Sequence, residues 1–217
     1  DVPRKLRAIW TLHCLGGLSA DDRLELTRND DEYVRSWALQ LEMEDAQASS
    51  AFQSRMLEMA AGDPSPVVRL YLASALGRLP LADRFPLAEA LVAHGEDATD
   101  HNLPLMYWYG IEPLVPADPS RAIELAHASQ IPLVTRYVIR RAASENENLG
   151  QVVGSLARAA DPPSQLMHLD EMLAAFEGRV GFKIPDNWPP AYVELTQSGD
   201  ATVRERADQV AVLRGDP

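Results

Sequence analysis

One short pattern recurs along this chain and constrains its fold more than any other feature. Asp31-Glu-Tyr-Val34-Arg35-Ser-Trp37-Ala38 is echoed by Asp63-Pro-Ser-Pro-Val67-Val68-Arg69-Leu-Tyr71-Leu-Ala73, and again by Asp200-Ala-Thr-Val203-Arg204-Glu-Arg206-Ala207. Arg35 and Arg69 lie 34 residues apart, a length that suits two helices and their short connections. The apolar residues around these copies fall at spacings of three and four, which puts them on one face of a helix. Leu6, Ile9, Trp10 and His13 make such a stripe, as do Val34, Trp37, Ala38 and Leu41. Val68, Leu72, Ala75, Leu76 and Leu79 make a third, and Leu166, Leu169, Met172, Leu173 and Phe176 another. Shorter apolar stretches run over 87–92, 123–126 and 134–141. Strand-like alternation never lasts more than a few residues, so the pattern predicts an all-α chain.

The breaks between stripes are short and chemically consistent with helix ends. Gly16-Gly17 closes the first helix, since glycine readily adopts the left-handed conformation found there. Asp31, Asp63, Asp118, Asp161 and Asp200 each precede a stripe and are expected N-caps. Pro64, Pro119 and Pro162 follow three of them, where a missing N–H costs little. Short connections imply antiparallel neighbours. Between Leu105 and Arg136 the period persists in degraded form, with Pro104 and Pro132 opening the second helices. The expected organisation is a single helical-repeat domain over 1–217: regular hairpins over 1–144, an irregular hairpin and packed loop over 145–190, and a terminal hairpin over 191–217. Gly178, Gly181, Pro185, Pro189 and Pro190 surround that loop, which carries Phe182, Ile184 and Trp188. The chain opens without Met or a signal peptide, and it reads as a fragment of a longer protein.

The Asp, Val and Arg of the recurring pattern resemble the opening of the second helix in HEAT repeats. The resemblance implies a HEAT-like right-handed α-α superhelix, a solenoid of antiparallel helical hairpins. In such a repeat the Asp caps its helix, the Val enters the core and the Arg pairs with acids of adjacent repeats. A narrower resemblance rests on three stretches. The first runs from Ala93-His94-Gly95-Glu96-Asp97 through Asn102-Leu103-Pro104 to Trp108-Tyr109 and Glu112-Pro113. The second is Ile131-Pro132-Leu133 with Arg140-Arg141, and the third is Phe176-Glu177-Gly178-Arg179 with Pro185, Trp188 and the final hairpin. Together they look like the HEAT-repeat region of large PVC-type haem-binding proteins described as membrane-bound dehydrogenases. Those proteins join a β-propeller, a helical-repeat region and a cytochrome c domain with a CxxCH motif. The resemblance implies an extracytoplasmic location, periplasmic or membrane-associated through the parent protein. It also implies a role in linking or docking redox domains, with a protein partner or neighbouring domains of the same polypeptide as the contact. Haem c is expected only in a separate domain, so no cofactor is expected in this chain.

Composition narrows the field further. Cys14 is the only cysteine, which excludes an internal disulfide, a thiolate zinc cluster and a CxxCH attachment. A formal net charge of −12 disfavours nucleic acid and anionic membrane surfaces as partners. No apolar stretch approaches the roughly 20 residues needed to span a bilayer, so no direct membrane insertion is expected.

The stretch from His94 to Pro113 carries the most candidate chemistry. His94, Asp97, Asp100 and His101 are imidazoles and carboxylates close enough in sequence to be weighed as metal ligands, although their spacing matches no defined motif. Asn102, Tyr107, Trp108, Tyr109 and Glu112 are candidate ligand or partner residues, with Glu112 expected to need a polar partner such as Asn102. Arg136, Arg140 and Arg141 sit at helical spacing. With Arg35, Arg69 and Arg204 they form either an internal Asp–Arg ladder or an anion-binding face. His13 and Cys14 read as core or cap packing, His127 and His168 stand alone, and Arg214-Gly215-Asp216 reads as a chance match to an adhesion motif. No Gly-rich phosphate loop, GxSxG elbow or HExxH pair occurs, so no catalytic residue is assigned. The expected function is a non-catalytic scaffold or protein-interaction module. The alternative is a ligand-binding or lyase-like HEAT solenoid with a pocket around Trp108 and Glu112, by analogy with HEAT-like lyases of tetrapyrrole chromophores.

Overall fold

A computed structural model describes residues 1–179, 183 and 185–213, and every described regular element is helical, with no strand. Residues Asp1–Pro113 with Ser129–Ile131 form one compact unit, and Leu114–Ala128 with the residues from Pro132 onward form a second.

The first unit contains α1 (Val2–Cys14), α2 (Ala20–Leu26), α3 (Glu32–Glu42), α4 (Ser50–Gly62), α5 (Pro66–Leu76), α6 (Leu81–Leu91) and α7 (Leu103–Ile111). Helices α3, α5 and α7 pack side by side, and α4 packs on α6. Each stripe supplies the contact face: Val34, Val68, Leu72, Leu76 and Ile111 are all fully buried. The second unit holds α8 (Leu114–Ala117), α9 (Pro119–Ala128), α10 (Pro132–Ala143), α11 (Leu149–Ala157), α12 (Pro162–Phe176), α13 (Trp188–Thr196) and α14 (Ala201–Leu213). There α10, α12 and α14 pack side by side, while α11 packs on both α9 and α13. The described residues of 145–190 include α11, α12 and the start of α13. Trp188, expected in the packed loop, is instead the fully buried first residue of α13. Phe182, Ile184, Gly181 and the Arg214-Gly215-Asp216 triplet lie outside the described residues.

The caps follow the expected chemistry at four of the five aspartates. Asp31, Asp118, Asp161 and Asp200 accept backbone N–H bonds from the first turns of α3, α9, α12 and α14. Asp63 does not. Ser65 caps α5 through Val68 N, Pro66 takes the first helical position, and the Asp63 carboxylate is turned to Arg35. The expected end of α1 also holds, with Gly16 at φ +70° and its N–H on His13 O. The core reading of Cys14 fails, because its side chain is exposed and His13 beside it pairs with Glu44.

Close approach of α5 and α7 depends on Gly110. A Cβ there would meet Leu76 Cδ2 at 2.6 Å and Cγ at 2.7 Å, so only glycine lets the two helices lie this near. Among the described residues no helix is long and apolar enough to cross a membrane.

Candidate functional site

The recurring arginines form a repeated device within the first unit. Arg35 reaches Asp63 through Nε and Nη2 at 2.7 and 2.8 Å, and Arg69 reaches Asp97 in the same bidentate way at 2.6 and 2.5 Å. Each arginine also donates to the carbonyl six residues before it, of Asn29 and Asp63 respectively. In the second unit Arg204 donates to Ser198 O, again six residues back. Gln165 does the same with Ala159 O, four residues after the Asp161 cap. This fourth copy escaped the sequence reading because Gln replaces the Arg and Ser164 replaces the Val.

The candidate metal ligands are separated by these structural duties. Asp97 is held in the buried ion pair with Arg69 and also accepts the Tyr107 hydroxyl at 2.6 Å. His94 Nε2 is 2.6 Å from Ala60 O and Nδ1 is 2.9 Å from Glu96. Asp100 accepts from the backbone of Asn102 and Leu103 at the start of α7; the Leu103 amide, then that of Asn102, hold its carboxyl below the usual range. His101 is exposed. Among the described residues no group of three or more such side chains converges to hold a metal ion.

Of the expected residues on and just after α7, Tyr107 and Tyr109 point to different sides of the helix. Successive helical residues turn by about 100°, so Tyr107 faces the core and is fully buried while Tyr109 is 64% exposed. Trp108 and Glu112 are half-buried, and the Glu112 N–H continues the helix onto Trp108 O. Burial is the largest factor raising the Tyr107 phenol far above its ordinary range, with the hydrogen bond to Asp97 second.

A different set does converge. Gln40 of α3, Leu70, Tyr71 and Ser74 of α5, and Asn102, Leu105, Met106 and Tyr109 line a groove of about 460 Å³. Two of the expected residues, Asn102 and Tyr109, belong to it. The ring contacts Trp10–Trp37 and Trp37–Tyr71, at centroid distances of 4.7 and 6.4 Å, continue an aromatic row from Tyr71 toward α1. Trp37, Tyr71 and Leu105 recur at intervals of 34 residues. That register was the signal available in the sequence.

The second unit holds a larger and more polar groove, of about 1000 Å³, between α9, α11 and residues 185–187. Its walls include His127, Gln151, Arg158 and Asn187. Behind His127 runs a short hydrogen-bonded chain. His168 Nδ1 lies 2.9 Å from the Ser164 carbonyl, which only accepts, so Nδ1 carries the proton and Nε2 is the acceptor. Ser155 Oγ therefore donates to His168 Nε2 over 2.8 Å and accepts from His127 Nε2 over 2.5 Å. The neutral His127 ring is left with a bare Nδ1 on the side away from Ser155. Burial first, and Arg158 among the further causes, pushes both imidazoles below their ordinary pKa. The two histidines that stood alone in sequence are thus joined by a serine that carried no signal.

Arg136 and Arg140 meet on a buried acid, Glu171 of α12, rather than on the aspartates of the ladder. Arg141 pairs with Glu145 at 2.7 Å. Compared with models of protein families, curated proteins and solved structures, the chain matches none of them.

Proposed function

We propose that this chain is a non-catalytic, HEAT-type interaction module whose first unit grips an extended, uncharged and partly aromatic segment of a protein partner. The observation that carries the reading is the groove across α3, α5 and α7. None of its lining residues is ionisable apart from the Tyr71 and Tyr109 phenols, in a chain of net charge −12. Amide, hydroxyl and thioether groups alternate there with Leu70, Leu105 and the two tyrosine rings. Such a lining rewards apolar side chains and backbone amides and gives nothing to a charged segment. The recurrent arginine device supports a repeat architecture, because each copy fixes the loop before its helix in the same way. The parent-protein role, linking or docking redox domains outside the cytoplasm, rests on the sequence resemblance alone.

A random peptide display library panned on the purified chain tests this reading. Selected peptides are expected to be neutral and rich in aromatic and aliphatic residues. Their affinity is expected to fall about tenfold or more on Tyr109→Ala or Leu105→Glu, since truncating a groove anchor removes on the order of 1–2 kcal/mol. Both positions are solvent-exposed, so folding is preserved. Enrichment of acidic or basic peptides, or binding indifferent to both substitutions, overturns it.

A second reading, small-ligand binding, is favoured by the polar groove beside His127. The walls of that groove are set by α9 and α11 rather than by α7, which carries Trp108 and is followed directly by Glu112. A ligand screen by thermal shift, repeated on Arg158→Ala and His127→Ala, separates the two readings.

A further inference from the structure

Glu171 is a carboxylate buried to 1% exposure, and its two oxygens are each taken by a different arginine. Arg136 Nε lies 2.5 Å from Oε1, and Arg140 Nε lies 2.7 Å from Oε2. One arginine suffices to neutralise one buried carboxylate, as Arg35 does for Asp63 and Arg69 does for Asp97. The second charge on Glu171 is surplus. Both arginine side chains also remain open to solvent, at 55% and 40% exposure. Each uses only its Nε in the pairing, so among the described residues the Nη groups of both have no protein acceptor.

The surroundings hold this pair in place without cancelling it. The Arg140 guanidinium lies over the Tyr137 ring, 5.5 Å from its centroid. Asp170, beside Glu171 in the sequence of α12, is engaged by Arg206 Nε of α14 at 2.8 Å. Arg136, Arg140 and Arg206 thus face Glu171 and Asp170, which leaves a local positive excess on a strongly acidic chain. Two like charges are held near one another by a single carboxylate, on side chains that stay partly open to solvent. That is the arrangement an oxyanion completes, because carboxylate and phosphate oxygens accept two parallel N–H bonds from a guanidinium edge.

We propose that Arg136 and Arg140, tethered by Glu171, form an oxyanion site on the second unit that takes a carboxylate or phosphate group. The proposal does not depend on the aromatic groove of the first unit. Nitrogen-15 spectra of the arginine side chains report it directly, with inorganic phosphate and a terminally blocked pentaglutamate peptide titrated separately at constant ionic strength. Saturable shifts at the Arg136 and Arg140 Nε resonances are expected with at least one probe. Stronger response to phosphate marks a small oxyanion, and stronger response to the peptide marks an acidic protein segment.

Arg140→Lys keeps the charge but loses the fork, and about tenfold weaker binding is expected. Glu171→Gln separates a built site from diffuse attraction. It adds net positive charge, so simple attraction tightens binding, whereas loss of the tether weakens it. Absence of shifts with both probes, unchanged binding in Arg140→Lys, or tighter binding in Glu171→Gln each overturns the proposal. A circular dichroism spectrum confirms that a weakened variant is still folded. If Glu171→Gln unfolds, Arg140→Lys and the double substitution Arg136→Gln/Arg140→Gln, both at exposed side chains, decide the matter.

Discussion

At the scale of single residues, the buried node of Arg69, Asp97 and Tyr107 concentrates the electrostatics of the first unit. Both charged side chains are only 3% exposed, so removing Asp97 strips the buried Arg69 of its bidentate partner and leaves it the Asp63 carbonyl and a longer pairing with Glu96. Asp97→Ala is therefore expected to cost about 3–5 kcal/mol. Tyr107→Phe, which removes one hydrogen bond while the ion pair survives, is expected to cost about 1.5–3 kcal/mol. Chemical denaturation of the two variants checks that order, and equal losses contradict it. Gly110 gives a second case, because helix propensity and packing oppose each other there. Alanine is about 1 kcal/mol better than glycine inside a helix. Overpacking against Leu76 costs about 1–3 kcal/mol, and the Cβ would sit 2.7 Å from Leu76 Cγ. Gly110→Ala is expected to destabilise, and Gly110→Val more so. A rise in melting temperature for either would show that α5 and α7 can separate at little cost.

At the scale of elements, helix starts were legible wherever a polar residue had one local task. Asp31, Asp161 and Asp200 behave as caps because capping needs only the two or three residues that follow. Asp63 illustrates the limit. Its sequence context is that of a cap, yet Arg35 claims its carboxylate from 28 residues away and Ser65 takes over the capping. Ser65→Ala is expected to cost about 1 kcal/mol, while Asp63→Ala, which strips a partly buried arginine of its partner, is expected to cost more. Thermal melts of the two variants check the ranking. The groove was only half visible for a related reason. Asn102 and Tyr109 stood out by composition, but Gln40, Leu70 and Ser74 are ordinary helix-surface residues until α3, α5 and α7 are packed together.

At the scale of the molecule, protonation offers a readout specific to the second unit. His127 and His168 both have their pKa lowered below 6.5 by folding. Below that value the unfolded chain binds more protons than the folded one, so stability rises with pH there. The contribution is fully present above about pH 6.5, the ordinary histidine value, and is lost as pH falls through the depressed values of the folded state. Melting curves between pH 8 and pH 5 are expected to show a decline in the native chain. In His127→Gln/His168→Gln, where neither side chain titrates, the decline is expected to be shallower. An identical decline in both would show that carboxylates alone govern it.

The sequence alone determined that this chain is helical and where most of its helices start, and it offered an Asp–Arg ladder as one of two readings of its arginines. Those properties are local or periodic: apolar spacing sets the buried face, and a cap needs only its own turn. Tertiary structure decided which acid each arginine found, and that the 94–113 stretch is built into the frame of the first unit. It also decided that two lone histidines share a serine, and that Arg136 and Arg140 share one buried glutamate. Each of those outcomes joins residues 10 to 35 positions apart. The interval of 28 residues from arginine to aspartate became recognisable only once the helices were packed and their side chains could be seen to reach one another.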